Sequence, residues 1–166
     1  MRRDTLTQKR GSDEYPRVSL DYSIVIPAYN ESARIGKTLE HVLECVHRRG
    51  WHAEVLVVND GSRDDTAAIV QEFAANDPIV RLIENPGNRG KGFSVRNGIL
   101  SATGDIVMFT DADLSSPIEE AERLFASIHD GVDIAIGSRW LERKRQTIQQ
   151  PLYRRSEEHT SELQSQ

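Results

Sequence analysis

The sequence alternates between short runs rich in Val and Ile and longer segments whose apolar residues recur at helical spacing. Short continuous apolar runs are typical of strands buried on both faces of a parallel sheet. The alternation therefore predicts right-handed βαβ units and a three-layer α/β fold with a mostly parallel sheet. We expect Pro27 to end the first strand. The predicted strands are 23–26, 55–58, 80–83, 106–110 and 133–136, and the predicted helices are 32–49, 64–75, 90–100 and one that begins at Ser116 and Pro117.

Composition excludes several classes of protein. The 166 residues carry a formal net charge of −5 and no basic stripe interleaved with aromatic residues, which argues against a nucleic-acid partner. A single cysteine, Cys45, excludes an internal disulfide and a zinc site made of several cysteines. No apolar run approaches the roughly 18 residues of a membrane span, and the N-terminus lacks the apolar core of a signal peptide. We therefore expect a cytoplasmic protein.

The two ends of the sequence differ from its middle. Residues 1–20 are polar and mixed in charge, and we expect a disordered leader there. Residues 155–166 resemble the in-frame translation of a DNA-sequencing adapter, and their polar, aperiodic composition predicts a disordered, non-native tail. The folded domain is thus predicted to span residues 21–154. We expect it to be incomplete, with the natural protein continuing beyond Arg154.

A polar cluster follows each predicted strand. The clusters occupy residues 27–31, 59–65, 85–92, 111–113 and 137–139. The carboxyl ends of parallel strands meet at one edge of the sheet, where open α/β folds bind their ligands. Taken singly, these clusters have ordinary explanations as turns or helix caps. Taken together, they predict a binding site.

The fourth cluster indicates the chemistry of that site. Asp111 and Asp113 come directly after an apolar run and are separated by one residue. Carboxylate oxygens suit a hard cation such as Mg²⁺, which takes one or two protein carboxylates and fills its shell with water and substrate phosphates. The sequence therefore predicts a phosphorylated, nucleotide-linked substrate.

Four of these motifs resemble those of the family 2 glycosyltransferases, which have the Rossmann-like GT-A fold. The motifs are Ile26-Pro-Ala-Tyr-Asn-Glu31, Val58-Asn-Asp-Gly-Ser62, Asn88-Arg-Gly-Lys-Gly92 and Asp111-Ala-Asp113, and the resemblance covers residues 22–154. Three further segments most resemble the dolichyl and polyprenyl-phosphate β-glucosyltransferases: Thr110–Pro117, Ile136–Arg139 and Gln150–Arg154. At two positions this chain differs from the residue that is common in related transferases. Mannosyl-transferring members usually carry Gln where this chain has Ser115, and Asn59 stands where an acid is common.

The resemblance implies a role for each motif in binding a nucleotide sugar. Asp60 would accept hydrogen bonds from the base, and Lys91 would contact the donor from its glycine-flanked loop. Asp113, which is also assigned to catalysis, would coordinate a Mg²⁺ or Mn²⁺ ion that bridges the diphosphate. Asp111, assigned to both the nucleotide-sugar pocket and the metal site, would contact the ribose or the water shell of the metal. The remaining residues assigned to the nucleotide-sugar pocket are Pro27, Tyr29, Glu31 and Ala112.

The resemblance also implies an acceptor and a reaction. Arg139 is the candidate for the acceptor phosphate, because its planar guanidinium suits two phosphate oxygens. The expected reaction transfers a hexose, glucose from UDP-glucose, to a polyprenyl or dolichyl phosphate with inversion. The full-length protein would lie at the cytoplasmic face of a membrane through a missing C-terminal part. Two alternatives remain open: a family 2 enzyme that uses a hydroxyl acceptor in polysaccharide synthesis, and a non-catalytic nucleotide-binding fragment.

Overall fold

The computed structural model of the protein describes residues 20–137. The predicted tail, Arg139 and all but the last residue of the predicted leader lie outside this range. The chain divides into two compact units between Glu122 and Arg123. In chain order the elements are β1 (Tyr22–Ala28), α1 (Ile35–Arg49), β2 (Ala53–Asn59), α2 (Thr66–Asn76), β3 (Val80–Glu84), α3 (Lys91–Ser101), β4 (Ile106–Phe109), a 3₁₀ turn (Ile118–Glu120) and α4 (Ala121–His129).

The four strands found in residues 20–137 form one sheet in the order β3-β2-β1-β4. Every pairing is parallel, and Ala28 at the end of β1 lies opposite Asn59 at the end of β2. All seven residues of the inner strand β2 are buried, as the continuous Val and Leu run predicts. The α/β class and the parallel sheet are therefore confirmed.

Helix α1 shows how sequence sets an element that borders the site. Its apolar residues Ile35, Leu39, Val42 and Val46 recur at three- and four-residue spacing, and all four are buried. Gly50 ends the helix in the left-handed conformation at φ 64°, which glycine adopts without a steric penalty. The first turn of α1 is packed on the core through Ile35 and Thr38, and the N–H of Ile35 donates to the Glu31 carbonyl at 2.8 Å, which ties this turn to the loop after β1.

The structure corrects the prediction that Pro27 ends the first strand. Strand β1 continues to Ala28, and Pro27 lies opposite Val58 within the β1–β2 pairing. Strand β4 pairs with β1 only as far as Val25. Beyond Val25, β1 is therefore an edge on the β4 side, where a residue without an N–H is tolerated.

The predicted fifth strand is wrong. Residues 133–136 form no strand, and Ile134 and Ile136 are 76% and 81% exposed. An apolar run becomes a buried strand only when a neighbouring strand accepts its backbone hydrogen bonds and another layer covers its side chains. The fourth helix differs more modestly. Pro117 is extended, at φ −56° and ψ 136°, and precedes the 3₁₀ turn rather than occupying the first helical position.

Helix α3 packs so closely on the sheet that Gly98 has no room for a side chain. A Cβ there would overlap Val25 Cγ1 and lie 3.0 Å from Val58 Cγ2, and both valines are fully buried. We expect Gly98→Ala to lower the free energy of unfolding by about 1–3 kcal/mol, as overpacking does. Gly92→Ala is the matched control on the same helix, because its Cβ would meet open space. Urea unfolding of both variants tests this, and equal stability would contradict the packing argument.

Candidate functional site

A cleft of about 230 Å³ opens at the carboxyl edge of the sheet. Eight of the nine residues that the sequence assigned to the site line it, and the ninth, Arg139, lies outside the described residues. Ala28 and Ser94 also line the cleft and were missed. The eight predicted residues are Pro27, Tyr29, Glu31, Asp60, Lys91, Asp111, Ala112 and Asp113.

The loops after β1 and β2 are joined by reciprocal hydrogen bonds. The backbone N–H of Asn30 donates to Ser62 Oγ at 3.0 Å, and the N–H of Arg63 donates to Asn30 Oδ1 at 2.8 Å. Asn30 has φ 54°, a left-handed conformation that a short amide side chain tolerates. This exchange fixes the backbone between Tyr29 and Glu31, so both residues are presented to the cleft.

A second pair of bonds strengthens the same junction. The N–H of Glu31 donates to Thr66 Oγ1 at 2.8 Å, and the N–H of Ser32 donates to Asp64 Oδ2 at 3.0 Å. Hydrogen bonds from the Thr66 side chain and from Ser32 lower the pKa of Asp64. Asp64 therefore remains a carboxylate that bridges two loops. The sequence offered a local signal for it, since Asp two residues before a helix start is typical of a turn or cap.

Glu31 combines burial with unused acceptor capacity. Its Oε2 is buried and lies 3.0 Å from Arg34 Nε, yet the N–H of Arg34 is not directed at it, and within residues 20–137 it accepts no hydrogen bond. The contact is thus ionic. A carboxylate of this kind at the wall of a cleft is suited to a ligand that brings hydroxyl or N–H donors.

Asp60 is buried at the end of β2 and holds the loop between β3 and α3. It is 3% exposed, and its oxygens accept from Asn85 Nδ2 at 2.7 Å, Arg89 N at 2.9 Å and Gly90 N at 2.7 Å. Burial alone would raise the pKa of Asp60, but these hydrogen bonds outweigh it and lower the pKa. Asp60 thus positions the loop that leads into Lys91, whereas its contact with a base stays a prediction.

Sequence reasoning missed the polar residues that support Asp60. Asn85 Nδ2 also donates to Ser94 Oγ at 2.9 Å, and Asn97 Nδ2 donates to Asn85 Oδ1 at 2.8 Å. Asn85 and Ser94 are buried. Their burial follows from the docking of α3 on the sheet, and no local pattern shows it.

The Asp111–Asp113 segment carries a charged rim for the cleft. Lys91 Nζ lies 2.7 Å from Asp111 Oδ1, and both side chains are partly exposed. Asp113 Oδ1 accepts hydrogen bonds from the N–H of Ser115 at 2.9 Å and from its hydroxyl. The bond from the Ser115 side chain is the main cause of a lowered pKa at Asp113. Asp113 is therefore available as an anion.

This donor set fits a divalent hard cation. All candidate ligand atoms are carboxylate oxygens, and the ammonium group beside Asp111 shows that the rim accepts positive charge. Among residues 20–137 no group of three or more His, Cys, Asp or Glu side chains converges as a metal site. Two carboxylates completed by water and ligand phosphates match the usual surroundings of Mg²⁺.

The parallel α/β sheet with an Asp-x-Asp pair at its cleft agrees with the GT-A glycosyltransferase fold that the motifs implied, and comparison with known proteins bears this out. A solved mannosyltransferase from Pyrobaculum calidifontis, in complex with GDP-Man and Mn²⁺, aligns with a TM-score of 0.54 and 30% identity. The alignment covers 69% of this chain and 34% of that one. The chain belongs to the family described as Glycosyl transferase family 2, which matches residues 23–165. This range includes most of the tail, whose non-native origin stays a prediction.

Two curated relatives add detail. A dolichyl-phosphate beta-glucosyltransferase of Trichomonas vaginalis is 41% identical over 109 residues, which is 61% of this chain and 32% of the relative. An undecaprenyl-phosphate 4-deoxy-4-formamido-L-arabinose transferase of Shewanella sediminis is 37% identical over 113 residues, 67% of this chain and 34% of the relative. The chain thus spans about a third of the length of these relatives. No helix within residues 20–137 has the length and apolar character to cross a membrane.

The buried charge of Asp60 gives a testable dependence of stability on pH. We expect Asp60→Asn to lower the free energy of unfolding by about 2–4 kcal/mol at pH 7, because two backbone N–H donors lose a charged acceptor. The pKa of Asp60 is held below its ordinary value of 3.8, so its contribution is complete above that value and is lost as pH falls through the folded pKa. The difference in the free energy of unfolding between the unaltered chain and Asp60→Asn should therefore narrow below about pH 4.

Asp65→Asn is the matched control for this measurement. The substitution is chemically the same and lies in the loop between β2 and α2, but Asp65 is exposed and makes no side-chain cap hydrogen bond. Urea titrations between about pH 2.5 and pH 7 would measure both variants. An Asp60→Asn protein as stable as Asp65→Asn at neutral pH would contradict the anchoring role of Asp60.

Proposed function

We propose that the chain is the donor-binding part of an inverting glycosyltransferase that moves glucose from UDP-glucose to a polyprenyl or dolichyl phosphate. The single observation that carries this is the convergence of Asp60, Lys91, Asp111 and Asp113 on one cleft. The names of the two curated relatives support the acceptor, because both specify a polyprenyl-type phosphate although they specify different sugars.

The donor would lie along the cleft from the loops after β1 and β2 to the rim after β4. Tyr29 offers a partly exposed ring for the base, and Glu31 offers acceptors for ribose hydroxyls. Pro27 and Ala112 would shape the walls. The Lys91 ammonium is close enough to the rim to meet a phosphate oxygen once the donor arrives. The glycine residues beside Lys91 would let backbone approach the diphosphate closely.

The rim residues would supply the catalytic environment. A Mg²⁺ or Mn²⁺ ion held by Asp111 and Asp113 would neutralise the charge that develops on the departing nucleoside diphosphate. The bonds from Ser115 lower the pKa of Asp113 and so favour its anionic form, and Asp111 is paired with Lys91. Because Lys91 and the carboxylates share one rim, donor binding would rearrange an existing charge pair.

The acceptor explains why no strong base is needed. An oxygen of the acceptor phosphate would form a bond to the anomeric carbon as the bond from that carbon to the diphosphate breaks, which inverts the configuration. A phosphate monoester has a second pKa of about 6 and is already largely anionic near neutral pH. A sugar hydroxyl would require a general base. Arg139 remains our candidate for binding this phosphate, and the full-length protein is proposed to act at the cytoplasmic face of a membrane.

Calorimetry with UDP in the presence of Mn²⁺ tests the donor site. We expect Asp113→Ala to weaken Mn²⁺-dependent UDP binding by at least about tenfold, since the cation loses a carboxylate ligand. Asp105→Ala is the matched control, because Asp105 is an exposed aspartate just before β4, at the opposite end of that strand. Equal losses in both variants, or no Mn²⁺-dependent binding by the unaltered chain, would contradict the proposal.

A second experiment addresses turnover. We expect residues 1–154 to bind UDP and Mn²⁺ weakly and to transfer little glucose from UDP-glucose to a polyprenyl phosphate, because the chain spans about a third of its curated relatives. A coupled assay that detects released UDP measures this. Robust transfer by residues 1–154 alone would show that the acceptor side is complete in this chain.

A further inference from the structure

The Asp-x-Asp rim is attached to helix α1 by one buried hydroxyl group. Thr38 Oγ1 donates a hydrogen bond to the carbonyl oxygen of Ala112, the residue between Asp111 and Asp113. Thr38 is 4% exposed and Ala112 is 5% exposed, so this contact is shielded from water. The two residues are 74 positions apart in the sequence, and no motif links them.

Two other hydrogen bonds lie within the rim itself and determine its local shape. The N–H of Leu114 donates to the Asp111 carbonyl at 3.1 Å, and the N–H of Ser115 donates to Asp113 Oδ1 at 2.9 Å. Both bonds lie within five consecutive residues and would survive a movement of the whole turn. The N–H of Thr110 holds the start of the turn on the Val25 carbonyl of β1 at 3.0 Å, and the bond from Thr38 holds the middle of the turn on α1.

Two features indicate that the turn needs such an external support. Leu114 has φ 47°, a left-handed conformation that a bulky L-residue adopts only when its surroundings impose it. Asp113 also borders open space on two sides, because it lines both the cleft and a second hollow of about 230 Å³. Lys91 reaches the rim too, but its side chain is 60% exposed, and exposed ion pairs hold geometry weakly.

We propose that Thr38 is a positioning residue whose hydroxyl places the Asp111–Asp113 carboxylates for a divalent cation. This inference rests on the proposed function, since it assigns a use to the same cation site. Helix α1 follows directly from the loop that presents Tyr29 and Glu31. Thr38 thereby couples the part of the cleft that would receive the nucleoside to the part that would receive the cation and diphosphate.

The test compares Thr38→Val with Thr38→Ser in the full chain. Valine keeps the shape of threonine but removes the hydroxyl, whereas serine keeps the hydroxyl. UDP affinity is measured by calorimetry without metal and with saturating Mn²⁺, and the ratio of the two affinities is the readout. We expect Thr38→Val to reduce this ratio about five- to tenfold with metal-free affinity changed less than about twofold, because one shielded hydrogen bond is lost. Thr38→Ser should keep the ratio of the unaltered chain.

If Thr38 had only a structural role, Thr38→Val would lower the free energy of unfolding without a selective loss of the Mn²⁺-dependent gain in UDP affinity. Urea unfolding is therefore recorded for each variant, and Thr38→Ala, which also lacks the hydroxyl, replaces Thr38→Val if valine prevents folding. Equal Mn²⁺ enhancement in the valine, serine and unaltered proteins would overturn the inference alone, as would an equal loss in valine and serine variants. Absence of any Mn²⁺ enhancement in the unaltered chain would contradict the proposed function, and the inference with it.

Discussion

The site depends on the buried carboxylate of Asp60. An ionised carboxylate removed from water is costly unless it receives hydrogen bonds, so its donors must be in place whenever the domain is folded. Those donors are the Asn85 amide and the N–H groups of Arg89 and Gly90, which directly precede α3. The next residue is Lys91, and its ammonium pairs with Asp111 after β4. One charge at the end of β2 thereby orders the loop after β3 and a side chain that reaches the end of β4.

The same logic extends to the rest of the cleft, which is organised by side chains that bond backbone groups of other loops. Ser62 and Thr66 accept hydrogen bonds from backbone N–H groups of the loop after β1, and Thr38 donates a hydrogen bond to a backbone carbonyl of the turn after β4. Such bonds are directional and involve groups that would otherwise be left without partners. A site built in this way is preorganised before any ligand binds, which reduces the ordering that binding must supply.

The sequence predicted the parts of this arrangement that depend on local pattern. Strands β2 and β3 and the helices follow from apolar spacing, and the first four polar clusters did converge on one cleft, whereas the fifth, at residues 137–139, lies outside the described residues except for Gly137. The errors have a common origin in tertiary context. Pro27 is accommodated because β4 stops pairing at Val25, and residues 133–136 form no strand although three of the four are apolar. Likewise, the roles of Asn85 and Thr38 arise from docking across the chain, which no local window contains.

The chemical groups that line the cleft also bear on which part of a nucleotide sugar this region could distinguish. Its distinctive groups are carboxylates, an ammonium and a partly exposed aromatic ring, which suit phosphate charge, a hard cation and a flat base. Under the proposed function, these groups would contact the diphosphate and the nucleoside, which nucleotide-sugar donors share. The relatives that align with this region are named for transfer of glucose, of a formamido-arabinose and of mannose. A shared region whose relatives are named for different sugars is the outcome expected where discrimination between sugar hydroxyl patterns depends on residues other than these.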